Sequence, residues 1–166
     1  MKRKIGSGLA TLLSREEFSI QVLRRSKGVC VFCSAQAQDP HHVLERKLFE
    51  DGGYYLDNGA GVCNAHHWKC ETTEISVEQV RVAAGIVLPV LPPGFSGDIR
   101  FDKWGNRVWP SGYRSWGPLQ QDAGARRALE KGGFLKLMLP PEYSEDDERY
   151  EFNGEIFGRY YGENDE

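Results

Sequence analysis

The four histidines of this chain fall into two adjacent pairs, His41-His42 and His66-His67, on either side of Asn58, and its four cysteines, Cys30, Cys33, Cys63 and Cys70, lie among them. Neutral imidazole ligates divalent metals and accepts protons near neutral pH; thiolates hold zinc. Cys30-x2-Cys33 and Cys63-x2-His66 are two half-sites, each short enough for both side chains to reach one ion. Together they supply the four nitrogen and sulfur donors of a closed tetrahedral zinc site, a structural one because no position stays open. Such a site contributes on the order of 10 kcal/mol to folding. Cys70, about two helical turns beyond Cys63, is an alternative fourth ligand to His66, and four unrelated buried thiols are the bland reading. The two-residue gap between Cys30 and Cys33 suits a shared metal better than a strained bridge, so the cysteines are read as reduced and the protein as intracellular and cytoplasmic.

The segment between the half-sites, residues 34–62, is longer than a zinc ribbon has and carries DPHHVLER and YLDNG, followed by CNAHHWKCE. A histidine at the end of a strand and another on a facing helix can hold one divalent cation. A neighbouring histidine then stays available to take a proton from water.

Cys30-x2-Cys33, the His41-His42 pair, Asn58, Cys63-x2-His66 and His67 together resemble the HNH endonucleases, the ββα-metal (His-Me finger) nucleases with a zinc-stabilised core. The resemblance covers about residues 30–71, roughly a quarter of the chain. It implies that His42 is the general base that activates water, that His41 and His67 bind the catalytic ion, and that Asn58 braces the loop between the strands or helps hold that ion. One family variant carries a further histidine one helical turn after the last motif residue. Here that position is Glu71, at i+4 from His67, and a carboxylate suits Mg²⁺ or Mn²⁺ at least as well. The family more often has cysteine where this chain has His66.

The activity so implied is phosphodiester hydrolysis in DNA, with RNA as the other candidate substrate, using structural Zn²⁺ and catalytic Mg²⁺ or Mn²⁺. One site cleaves one strand per event, so the enzyme is expected to nick, and double-strand breaks require a dimer or two visits. Small phage-encoded and mobile-element proteins are common in the family. Around the site, Arg46 and Lys47 lie just past His42, and Arg15, Arg24 and Arg25 share the polar face of an N-terminal helix, all positioned to reach phosphate or simply solvated.

Elements that position these residues are marked by caps and turns. Ser14 with Glu17 and Ser76 with Gln79 have capping-box spacing, predicting helices near 15–26 and 77–84, the second stopped by Gly85. VCVFC (29–33) reads as a short strand, residues 41–45 as extended, 54–57 and 60–62 as a return strand around Asn58-Gly59, and a helix follows from Asn64. Gly105-Asn106 inside RFDKWGNRVW predicts a hairpin, and DAGARRALEK a helix over 122–131. The class is α+β, and the resemblance implies a ββα-metal core with a zinc knuckle, flanked by helices and a C-terminal hairpin and helix extension. The expected segments are a basic N-terminal helix (1–29), the core (30–75), a basic extension (76–141) and an acidic, aromatic-containing tail (142–166).

The tail holds ten Asp and Glu against two Lys and Arg, so the formal charge of -3 conceals a basic body. A basic body is the footprint of a phosphate-binding protein. The aromatic tail is expected to dock in part; solubility is its default role and autoinhibition the sharper one. Trp104, Trp109 and Trp116 read as core before stacking platforms. No apolar run approaches the ~20 residues of a membrane span, and the broken stretch after Met1-Lys2-Arg3-Lys4 is a poor signal peptide. The rival readings are a zinc-stabilised nucleic-acid-binding module without catalysis and an interaction protein whose acidic tail is its working part.

Overall fold

Serine side chains start two of the helices. Ser14 accepts from the Glu17 amide while the Glu17 carboxylate accepts from the Ser14 amide, opening helix α1 (Arg15–Arg25); Ser76 and Gln79 do the same for α3 (Val77–Ala84). Each box satisfies two amides that no helical carbonyl reaches. Gly85 ends α3 in the left-handed conformation. The chain, seen in a computed structural model, is α+β, and the structure describes residues 2–5, 8–140, 150–152 and 155–157.

Among these, the strands form four two-stranded antiparallel ribbons. The ribbon that matters for the site is β3 (Asp39–His42) with β4 (Gly59–Val62), in register His41↔Ala60 and His42↔Gly59. Helix α2 (Asn64–Glu71) follows β4 directly, giving the local order strand, strand, helix. Before them come β1 (Lys2–Ile5) and β2 (Gly8–Thr11). Beyond lie β5 (Arg107–Val108), β6 (Arg114–Ser115), α4 (Ala123–Gly132), β7 (Tyr150–Phe152) and β8 (Glu155–Phe157).

Helix α1 lies across β3 and β4, burying Phe18 and Val22. The approach is close because β4 reads GAGV: a Cβ on Gly59 would stand 2.8 Å from the Phe18 ring and overlap Val22. The main core gathers Val43, Leu44, Tyr55, Val62, Cys70, Val77 and Val80, and a second forms under α4 from Trp104, Ala125, Leu129 and Met138. No helix of the described residues is long and apolar enough to cross a membrane.

Several expected elements differ in detail. VCVFC is no strand; Val29 makes one bridge to Gln36 and the chain then turns, which frees the thiols from a ladder. Residues 54–57 are not the start of the return strand, because Leu56–Asn58 is a 3-10 turn and β4 begins at Gly59. Gly105 does turn the chain, with φ +81°, but the strand after it pairs with β6 and touches Phe101 through one bridge only. The Asp102 carboxylate explains why: it accepts from the Trp104 and Asn106 amides and from Arg114 on β6. The N-terminal ribbon of β1 and β2 has no counterpart in the sequence reading. Of the acidic tail, β7 and β8 pair with each other; docking by the rest of it falls outside the described residues.

Candidate metal and active site

Two groups of metal-ligating side chains converge, each drawing on residues before helix α2 and residues within it. In the first, Cys30 and Cys33 come from the turn after the Val29 bridge, while Cys63 caps α2 and His66 lies in its first turn. The distances are 3.8 Å from Cys33 Sγ to Cys63 Sγ, 3.2 Å from Cys63 Sγ to His66 Nδ1 and 3.6 Å from Cys30 Sγ to His66 Nδ1. A zinc tetrahedron with bonds of about 2.0–2.3 Å spaces its donors by about 3.5–3.8 Å, so the set fits zinc. Hydrogen bonds from His66, backbone and side chain, lower the Cys63 thiol toward the thiolate that a metal needs. Cys70 is not part of the set. It is buried in the main core, and that burial raises its thiol to about 12.

The second group is His41 on β3 with His67 and Glu71 on α2, whose ligating atoms all lie within 4.8 Å of one another. Glu71 Oε1 is the common point, 3.4 Å from His41 Nδ1 and 3.3 Å from His67 Nε2. Spacing i, i+4 on one helix turn brings the last two together. His41 is 2% exposed, and among the described residues its Nδ1 has no aligned hydrogen-bond partner although Glu71 Oε1 stands near it. Asp39 Oδ2 lies 3.2 Å from His67 Nδ1, so the other ring nitrogen faces Glu71, the usual carboxylate support of a metal-ligating imidazole. The residues present therefore fit a divalent ion.

His42 follows His41 on the strand and stands between Phe18, stacked at 4.5 Å, and Tyr54, edge-on at 5.3 Å. Its Nε2 has no hydrogen-bond partner among the described residues. Burial, reinforced by the positive charges of Lys103 and Arg46, lowers it from 6.5 to about 4. Burial does the same to His41, against the pull of Glu71. For Glu71, burial alone would raise the carboxyl, but the imidazoles of His41 and His67, each within 3.4 Å of Oε1, and the charge of Lys103 outweigh it and hold the group far below the usual carboxylate range. Hydrogen bonding to Glu71 raises His67, against its partial burial, with help from Asp39.

A cavity of about 360 Å³ is lined by His41, His42, His67 and Glu71 together, so both histidine pairs contribute to one space. Its walls also carry Asp39 and Glu45 and three cationic side chains, Arg15, Arg46 and Lys103. Asn58 lies beneath the site, 1% exposed; its Oδ1 accepts from the Leu44 amide and its Nδ2 donates to the carbonyls of Leu44 and Gly53. It braces the loop between β3 and β4 and touches no ligand.

Of the five expected phosphate contacts, Arg15 and Arg46 line the cavity, Arg46 with Nη1 bonded to the Tyr54 hydroxyl. Lys47 pairs with Asp122 at 2.7 Å. Arg25 pairs with Asp57 and donates to the Gly59 carbonyl, which pins α1 to β4. Arg24 is exposed on α1 and does not line the cavity. Trp104 is buried and donates to the Glu71 carbonyl, supporting the end of α2 as core. Trp116 packs against the second core and Trp109 against a small cluster of Tyr113 and Leu139. Lys103 was not foreseen. It is 4% exposed, with Nζ 3.0 Å from Glu45, 3.2 Å from Glu71 and 3.3 Å from the His42 carbonyl. Only its place in a basic hairpin hinted at it.

No family model, curated protein or solved structure matches the chain.

Proposed function

We propose that this chain is a metal-dependent HNH endonuclease with a ββα-metal core, hydrolysing phosphodiester bonds of DNA. The observation that carries this reading is the convergence of His41, His67 and Glu71, from β3 and α2, in a cavity that His42 also lines, with an unpartnered nitrogen on each of His41 and His42. Three ligands on one face leave positions for water and phosphate oxygens, and the mixed nitrogen and oxygen set accepts Mn²⁺ or Mg²⁺. When bound, the ion supplies positive charge where negative charge develops on the scissile phosphate and the leaving oxygen.

The chain's own residues do the rest. His42, kept neutral by burial, takes the proton from the attacking water, a role worth about 10² to 10⁴-fold in rate. Phe18 and Tyr54 hold its ring in one plane. Asp39 orients His67. Arg15 and Arg46 meet the flanking phosphates at the cavity wall. The Cys30, Cys33, Cys63 and His66 zinc knuckle holds the start of α2 in place. Two histidines with one carboxylate also form the donor set of Fe(II) oxygenases; the arginines lining the cavity and the neutral third histidine favour phosphodiester cleavage.

The test is conversion of supercoiled plasmid to nicked circle. We expect nicking with Mg²⁺ or Mn²⁺ and background levels when the ion is omitted or His67 is replaced, His67→Ala. Plasmid binding without nicking under every ion condition would leave the non-catalytic zinc module as the function.

A further inference from the structure

Resting on the metal-dependent reading above, we propose that Lys103 divides the site's electrostatics between ion and nucleic acid: it weakens ion binding in the free protein and strengthens phosphate binding once the ion is in place. Lys103 belongs to the turn between residues 102 and 106, far in sequence from the histidines. Its backbone is fixed there, since its carbonyl accepts from the Glu45 amide at 2.9 Å and the turn is held by Asp102. The buried ammonium therefore stays beside Glu71, 3.2 Å from the Oε1 that faces His41 and His67.

An ion held by those three groups meets this resident positive charge at close range, where the protein interior screens weakly. The charge balance gives the consequence. The cavity walls carry three carboxylates, Asp39, Glu45 and Glu71, against three cations, Arg15, Arg46 and Lys103. With neutral histidines that lining is electroneutral, and a divalent ion makes it doubly positive. Without Lys103 the ion would enter a net negative lining and gain affinity, but the loaded site would attract phosphate less. Two ligands of opposite charge on one site raise each other's affinity by the same factor, typically about 5- to 150-fold.

The experiment uses the zinc-loaded full chain in a His42→Ala background, which prevents cleavage, and measures Mn²⁺ affinity by calorimetry with and without short duplex DNA. With Lys103 present, DNA is expected to tighten Mn²⁺ binding at least about fivefold. With Lys103→Met, Mn²⁺ binding in the absence of DNA should tighten by a similar factor and the Mn²⁺-loaded variant should bind the duplex correspondingly more weakly, because its lining then runs from net negative to singly positive instead of from neutral to doubly positive. Lys103→Arg, which keeps the charge, should behave as Lys103 does. If Lys103→Met fails to retain zinc or to unfold cooperatively, Lys103→Gln, which can still donate to Glu45, is measured in its place. Unchanged or weaker Mn²⁺ affinity in the neutral variant, or undiminished DNA affinity of its Mn²⁺-loaded form, overturns the proposal. The metal reading fails separately, and takes this one with it, if Mn²⁺ binding is insensitive to His67→Ala.

Discussion

His41 and His42 are neighbours in sequence and different in chemistry because a strand sends consecutive side chains to opposite faces. His41 turns toward Glu71 and His67 on α2, and His42 toward Phe18 on α1 and Tyr54. Burial lowers both to about 4. The unfolded chain takes up their protons below about 6.5 while the fold resists until about 4, so the stability present above 6.5 is lost as pH falls through that window. At pH 5.5 the loss is on the order of 1 kcal/mol for each histidine. His67, raised chiefly by Glu71, works in the opposite direction. Urea unfolding of the zinc-loaded protein at pH 7.5 and 5.5 isolates His42 when compared with His42→Phe, whose ring can fill the same slot. The variant should lose on the order of 1 kcal/mol less on acidification, and equal losses would contradict the burial account.

At the scale of elements, the site depends on how closely α1 lies on β4. Gly59 permits that contact, and Arg25 fastens it through Asp57 and the Gly59 carbonyl. Gly59→Ala drives a methyl into Phe18 and Val22, an overpacking worth about 1–3 kcal/mol. Because Phe18 is the stacking partner of His42, the same change should reduce nicking. Full stability of Gly59→Ala in urea would show that the helix has room to move. Much of this level was legible in the chain: both capping boxes form as spaced, and the helix ends fall within a residue or two of the Ser14, Ser76 and Gly85 signals. VCVFC and residues 54–57 were misread as strands because β-branched and aromatic residues there serve packing and turns. The pairing of β5 with β6 was hidden because it is set by Asp102 and Arg114, whose contact has no local period.

Across the whole molecule, the knuckle joins the turn at 30–33 to the start of α2, and Cys30 and Cys63 belong to the main core. Zinc binding is then folding energy. Stripping zinc with phenanthroline should lower the melting temperature by more than about 10 °C, while washing out Mg²⁺ should shift it little; a zinc-free protein with unchanged melting would refute the knuckle. The spacing of histidines and cysteines made both donor sets legible, His66 over Cys70 included. Lys103, Asp39 and Glu45 were not, since a charged residue reveals a site only through the tertiary contacts that bury it. The 102–106 turn thus belongs to the cavity as much as the histidines do. The most direct measurement is Mn²⁺ binding and plasmid nicking followed side by side in wild type and His42→Ala. The account predicts equal Mn²⁺ affinity within about twofold and at least a ~100-fold slower nicking rate in the variant. Nicking by His42→Ala at the wild-type rate would contradict it.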